Sequence, residues 1–159
     1  MKGSYRLVAA DLSQRAVFAL VSDIEGYPAF VPGCVATRIL AKDGATWTVD
    51  NVFGLGPVRA RFTTTAQVTP PDSLDIVSRD GPWRLFEMRW RVEALPAGCA
   101  IRLDWRAEPR LGALGQLGRL LLPDFERRVV EAFARRARAS AGKDAKPAFK
   151  QPEHLDQRE

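Results

Sequence analysis

Between Val35 and Ala107 the chain is an almost unbroken series of runs alternating apolar with polar residues, punctuated by Gly, Pro and Asp. A stretch patterned this way has few options, because period-two alternation suits strands and the punctuation suits tight turns. The pattern predicts strands over Val35–Lys42, Thr46–Phe53, Val58–Thr69, Ser73–Arg79, Leu85–Leu95 and Cys99–Ala107. Asp43-Gly44, Gly54-Leu55-Gly56-Pro57, Pro70-Pro71-Asp72 and Asp80-Gly81-Pro82-Trp83 supply the breaks between them. Strands joined so closely pair as an antiparallel meander. One face of each is apolar: Trp47, Val49, Asn51 and Phe53 on the second, then Val58, Ala60, Phe62, Thr64, Ala66 and Val68 on the third. Phe86, Met88, Trp90, Val92 and Ala94 alternate with Glu87, Arg89, Arg91 and Glu93, and Ile101, Leu103 and Trp105 alternate with Arg102, Asp104 and Arg106. The sheet therefore has one dry and one wet side.

Ahead of the meander, Ser4–Ala10 reads as a further strand, and Ala16, Val17, Leu20 and Val21 recur at helical spacing. Asp11 and Ser13 are N-cap candidates, which places a helix at about Leu12–Ser22. The run from Asp23 to Cys34 holds two prolines and two glycines and excludes a long helix, leaving a short turn around Pro28–Val31. After the meander, Leu114, Leu117, Leu121, Phe125, Val129, Ala132 and Phe133 form one apolar stripe. It predicts a helix from about Ala113 to Ser140, kinked at Pro123. The whole is an α+β fold: a curved antiparallel sheet wrapped around a long C-terminal helix, with room for a cavity between them. Residues 1–140 make one domain, and the polar stretch 141–159 reads as a disordered tail.

Of the 159 residues, 46% are hydrophobic and 27% charged, the balance of a chain with a core of its own. No apolar run reaches the roughly 18 to 20 residues of a membrane span, and no apolar segment follows Lys2, so a cytoplasmic protein is expected, peripheral at most to the inner membrane. Cys34 and Cys99 have neither metal-ligand nor redox spacing. The formal charge of +5 is dispersed, and there is no zinc spacing, Gly-rich phosphate loop or aromatic RNA motif, so no metal, cofactor or DNA partner is expected. The only histidine, His154, falls in the tail, away from any nucleophile that it could activate. Asp23 and Glu25 suit turn hydrogen bonds, and Glu87 and Glu93 suit cross-strand ion pairs.

The segment Leu20-Val21-Ser22-Asp23-Ile24-Glu25-Gly26-Tyr27-Pro28-Ala29-Phe30-Val31-Pro32-Gly33-Cys34 resembles the signature of the coenzyme Q-binding START-like family, within the polyketide cyclase/dehydrase and lipid transport superfamily. Phe53-Gly54-Leu55-Gly56-Pro57-Val58, Asp80-Gly81-Pro82-Trp83 with Leu85 and Trp90, and Val130-Glu131-Ala132-Phe133 with Arg136-Ala137 extend the resemblance over about residues 3–140. The chain departs from the pattern at Gly33, where members often carry a bulky aromatic. The resemblance implies a helix-grip fold of the START/Bet v 1-like type, binding ubiquinone or a related isoprenoid as carrier or chaperone for respiration. Such a protein is no enzyme, and the quinone is its cargo. The family also includes bacterial toxins that interfere with ribosomal subunit association, which makes the ribosome the alternative partner. An aromatase/cyclase-like enzyme is the third option.

Apolar periodicity and this fold together name the expected cavity wall: Phe30, Val31, Phe53, Phe62, Trp90, Trp105, Leu117, Leu121, Phe125 and Val129. Asn51 and Thr64, polar residues on dry faces, are the candidates for orienting a quinone head. Two Gly-bearing apolar segments are gate candidates, through Leu55 and Gly56 in one and Gly112 and Gly115 in the other, with transient contact at a membrane surface for loading. Arg127, Arg128, Arg135 and Arg136 crowd the polar side of the last helix, a solvated face that also suits anionic lipid or ribosomal RNA. Glu126 and Glu131 dilute its charge.

Overall fold

The computed structural model describes residues 1–113 and 123–144, the side chains of residues 55 and 142–144 excepted. Strand β1 (Lys2–Ala9) leads into helix α1 (Gln14–Ser22) and a 3-10 helix (Ile24–Ala29). Six strands follow: β2 (Cys34–Asp43), β3 (Thr46–Leu55), β4 (Val58–Thr69), β5 (Ser73–Ser78), β6 (Trp83–Ala94) and β7 (Cys99–Pro109). Helix α2 (Phe125–Asp144) completes the described chain. The seven strands form one curved antiparallel sheet in the order β1-β7-β6-β5-β4-β3-β2. The meander is thus complete, and β1 pairs with the last strand, from Lys2 opposite Arg106 to Ala9 opposite Cys99. α1 and the 3-10 helix carry the chain from one edge of the sheet to the other.

The local chemistry accounts for the boundaries. Ser13 is the N-cap of α1, its Oγ accepting from the Ala16 amide at 3.1 Å; Asp11 instead pairs with Arg138 on α2. The short helix begins at Ile24, earlier than the expected Pro28–Val31. The tyrosine hydroxyl of Tyr27 donates to the Val21 carbonyl and locks this turn onto the end of α1. The β3–β4 connection is tighter than the four-residue loop expected at Gly54–Pro57. Leu55 pairs with Val58, and only Gly56, at φ +58°, takes the left-handed conformation that Pro57 cannot adopt.

The inner face of the sheet carries the core, with Val49, Ala66, Leu74, Trp90, Val92, Ile101 and Leu103 all essentially inaccessible to solvent. α2 packs chiefly against β1, β7 and α1, which is one side of the sheet. Val130, Phe133, Ala134 and Ala137 make its buried stripe. The concave centre formed by β3 to β6 is therefore covered only in part, and there the cavity lies.

A candidate ligand cavity

β3 and β4 pair without interruption, Asn51 opposite Phe62 and Val49 opposite Thr64. Their period-two phase is preserved, so Asn51, Phe53, Ala60, Phe62 and Thr64 face the same concave space. Ile76, Trp83, Phe86, Met88 and Trp90 enter it from β5 and β6, and Ile24, Tyr27, Val31, Pro32 and Gly33 close it from the segment that precedes β2. Phe125, Val129 and Phe133 of α2 form the roof. The free space is about 90 Å³, room for a handful of waters at roughly 10–15 Å³ each. Gly33 lies at φ +77°, and a Cβ there would meet nothing closer than the Gly54 carbonyl at 3.7 Å. The wall therefore carries no side chain at this position.

Among the described residues, no charged side chain lines the cavity. Its polar centre is Asn51, 6% exposed. The amide nitrogen donates to Thr64 Oγ1 at 2.9 Å and to the Val49 and Phe62 carbonyls at 3.2 Å. Burial pushes the Tyr27 hydroxyl well above its ordinary pKa, so it stays protonated and committed to Val21. Trp83 and Trp90 are 3% and 1% exposed, and the indole Nε1 of each has no hydrogen-bond partner among the described residues. Buried donors are nearly always paired, and these two are sealed off from solvent.

Trp83 is held with some force. The Asp80 carboxylate accepts from the Thr63 amide at 2.8 Å, and this backbone hydrogen bond is the main reason that its pKa is lowered. Arg110 ties the same loop down through the Gly81 and Arg79 carbonyls, at 3.0 and 2.8 Å. A register shift between Trp83 and Leu85 then brings Trp83 and Phe86 to the same face, although three positions separate them. Neither strict alternation nor the expected strand start at Leu85 places Trp83 there.

The expected wall residues Val31, Asn51, Phe53, Phe62, Thr64, Trp90, Phe125 and Val129 are brought together at the cavity. Phe30 is not among them. It follows the 3-10 helix on the outer side, with its ring 4.8 Å from Phe133 and the Arg136 guanidinium 5.5 Å from the ring centre. Trp105 is also elsewhere: it donates to Glu126 Oε2 at 3.0 Å and lies edge-on to Phe125 at 5.7 Å, seating the start of α2. Leu117, Leu121 and Gly115 lie outside the described residues, as does His154. Gly56 is the tip of the β3–β4 hairpin, which Leu55 precedes, and Gly112 occupies a turn at φ +91°. Arg127, Arg128, Arg135 and Arg136 are all exposed, and Arg127 pairs with Asp124 at 3.0 Å. Tyr27, Trp83, Phe86, Met88 and Phe133 line the cavity unforeseen. The apolar pattern names the dry faces but not which part of a dry face borders free space.

A curved antiparallel sheet, a helix laid over one side of it and an apolar hollow between them define the helix-grip class. The chain belongs to the polyketide cyclase / dehydrase and lipid transport family, whose model matches residues 10–134. It is 31% identical over 133 residues to the ribosome association toxin RatA of Pseudomonas aeruginosa, covering 80% of this chain and 90% of that one. Among solved structures it resembles the 18 kDa protein CC1736 from Caulobacter crescentus, with a TM-score of 0.69 at 22% identity over 89% of this chain and 99% of the other. A START superfamily protein from Mycobacterium smegmatis superposes with a TM-score of 0.60 at 19% identity over 89% and 95% of the two chains.

Proposed function

We propose that this protein binds a neutral apolar cargo, ubiquinone or a related isoprenoid lipid, in the cavity between sheet and α2, and carries it for respiratory electron transport. The observation that supports this most is the wall itself, which among the described residues is largely apolar, with Asn51, Thr64, Tyr27 and two indoles as its polar side chains and no charged one. Such a site binds by removing apolar surface from water, at about 25 cal/mol per Å² less the ordering of the ligand. The free space suits a ring better than a long tail, so the ring enters and the tail leaves by the mouth, with loading at a membrane surface. Native mass spectrometry with organic extraction, on protein purified gently from a quinone-producing host, tests it. A one-to-one isoprenoid quinone adduct is expected; protein that is empty and also ignores added ubiquinone contradicts it.

A second function, association with ribosomal subunits, is favoured by the name of the Pseudomonas relative and its 31% identity. The exposed Arg127, Arg128, Arg135 and Arg136 would make the contact, and the binding would weaken steeply with salt. Cosedimentation with ribosomal subunits at two salt concentrations separates it from cargo binding, which salt leaves nearly unchanged.

A further inference from the structure

We infer that the cavity recognises a neutral ring hydroxyl, that of a phenol or a quinol, through the paired side chains of Asn51 and Thr64. This rests on the cargo-binding function proposed above and names the head group that the cargo presents. Both side chains line the cavity, at 6% and 5% exposed. Thr64 stands opposite Val49 and Asn51 opposite Phe62, so the two are diagonal neighbours on one face of the β3–β4 pair. The Val49 and Phe62 carbonyls each lie 3.2 Å from Asn51 Nδ2. They fix which way the amide is turned, because an amide oxygen in that place would face two other oxygens. Nδ2 also donates to Thr64 Oγ1 at 2.9 Å, so its donor capacity is fully taken.

The capacities left over are of opposite sense. Thr64 Oγ1 accepts from Asn51, and its own hydrogen has no acceptor among the described residues. Asn51 Oδ1 accepts no hydrogen bond from the described residues, and it is not among the atoms sealed away without a partner, which are the two indole nitrogens. An O–H donor and an amide oxygen on adjacent side chains match a group that both accepts and donates. A hydroxyl does so: its oxygen accepts from Thr64, and its hydrogen goes to Asn51 Oδ1. A carbonyl uses the Thr64 donor alone and turns its lone pairs towards Asn51 Oδ1, while a hydrocarbon strands both groups. A carboxylate or phenolate would be desolvated against a wall in which the described residues supply no counter-charge. Two positions away on each strand, Phe53 and Phe62 stack with ring centres 5.9 Å apart, apolar surfaces that suit a hydroxyl carried on a flat ring.

Asn51 is the only asparagine in the chain, so asparagine labelled with 13C at Cγ and 15N at Nδ2 reports on this site alone. The full chain so labelled is titrated with 3,5-dimethylphenol, 3,5-dimethylbenzaldehyde and 1,3,5-trimethylbenzene, which carry a hydroxyl, a carbonyl and a methyl group on one dimethylphenyl frame. The phenol is expected to bind about twofold to tenfold more tightly than the aldehyde, the worth of one hydrogen bond. It is expected to bind at least about tenfold more tightly than the hydrocarbon, which leaves both polar groups unmet. Only the phenol is expected to move the Asn51 carbonyl carbon downfield, the response of an amide oxygen that gains a hydrogen bond. Thr64→Val keeps the shape and removes the hydroxyl. It is expected to weaken phenol binding at least about fivefold and to leave the hydrocarbon unweakened. Phenol binding no tighter than that of the other two, with an unmoved Asn51 carbonyl, overturns the inference while cargo binding stands, and the wild-type spectra decide this even where the variant fails to fold. Failure of all three probes and of ubiquinone-1 to bind overturns the cargo function, and the inference with it.

Discussion

Cys34 opens β2 immediately after Gly33, 8% exposed, and burial pushes its thiol from 9.0 up to about 12. Because the folded state raises this pKa, the stabilisation is complete below pH 9 and is lost as pH rises towards 12. Tyr27 adds in the same direction, also through burial. Urea unfolding of Cys34→Ala between pH 9 and 12 is expected to show a shallower loss of stability than the parent, by on the order of 3 kcal/mol at the upper end. Identical slopes would contradict the assignment. Asn51 and Thr64 were legible at this scale, since a polar residue in phase with apolar neighbours on an unbroken strand faces the interior. Phe30 and Trp105 were not, because an aromatic on a dry face can equally well seat a helix. The surrounding turn, and the carboxylate of Glu126 some twenty positions away in sequence, decide which it does.

The elements that frame the cavity depend on two kinds of close contact. Gly81 lies at φ +60°, and a Cβ there would stand 2.6 Å from the Arg61 carbonyl oxygen; Gly44 has the same handedness at φ +58° with nothing within 4 Å. Gly44→Ala is expected to lose only the left-handed backbone penalty of about 1–2 kcal/mol. Gly81→Ala is expected to lose more, since the loop that carries Trp83 must also leave β4, and chemical denaturation of the two variants measures the difference. On the helical side, the ring of Phe133 meets Tyr27 at 5.3 Å, Phe30 at 4.8 Å and Trp90 at 4.6 Å. Phe133→Ala is expected to destabilise the protein by about 3–5 kcal/mol, and a loss below 1 kcal/mol would mean that α2 is not seated there. The meander could be read from alternation because each strand is bounded by a turn residue with a physical reason. The start of β6 could not, because a bulge shifts the phase at Trp83 and leaves no mark in the alternation.

At the scale of the molecule, the sheet and α2 work as two jaws that meet along β1 and β7 and stand apart over β3 to β6. The apolar stripes made the two layers legible. The gap between them depends on where α2 crosses the sheet, a tertiary matter on which the stripes are silent. The outer surface carries exposed ion pairs, Arg61–Asp50 between β4 and β3 and Arg102–Asp104 within β7, both at 2.8 Å. Exposed pairs of this kind contribute little to stability, so moderate salt is expected to leave the fold intact while it weakens any association made through the arginines. The most direct test of the cavity as the cargo site is a titration of short-tailed ubiquinone, followed by native mass spectrometry, into the parent and into Ala60→Phe. Ala60 lines the cavity, and a ring at that position occupies the free space at an overpacking cost of about 1–3 kcal/mol. One quinone per parent chain and none on a folded Ala60→Phe chain is the predicted result; equal loading of both proteins would contradict a cargo site in this cavity.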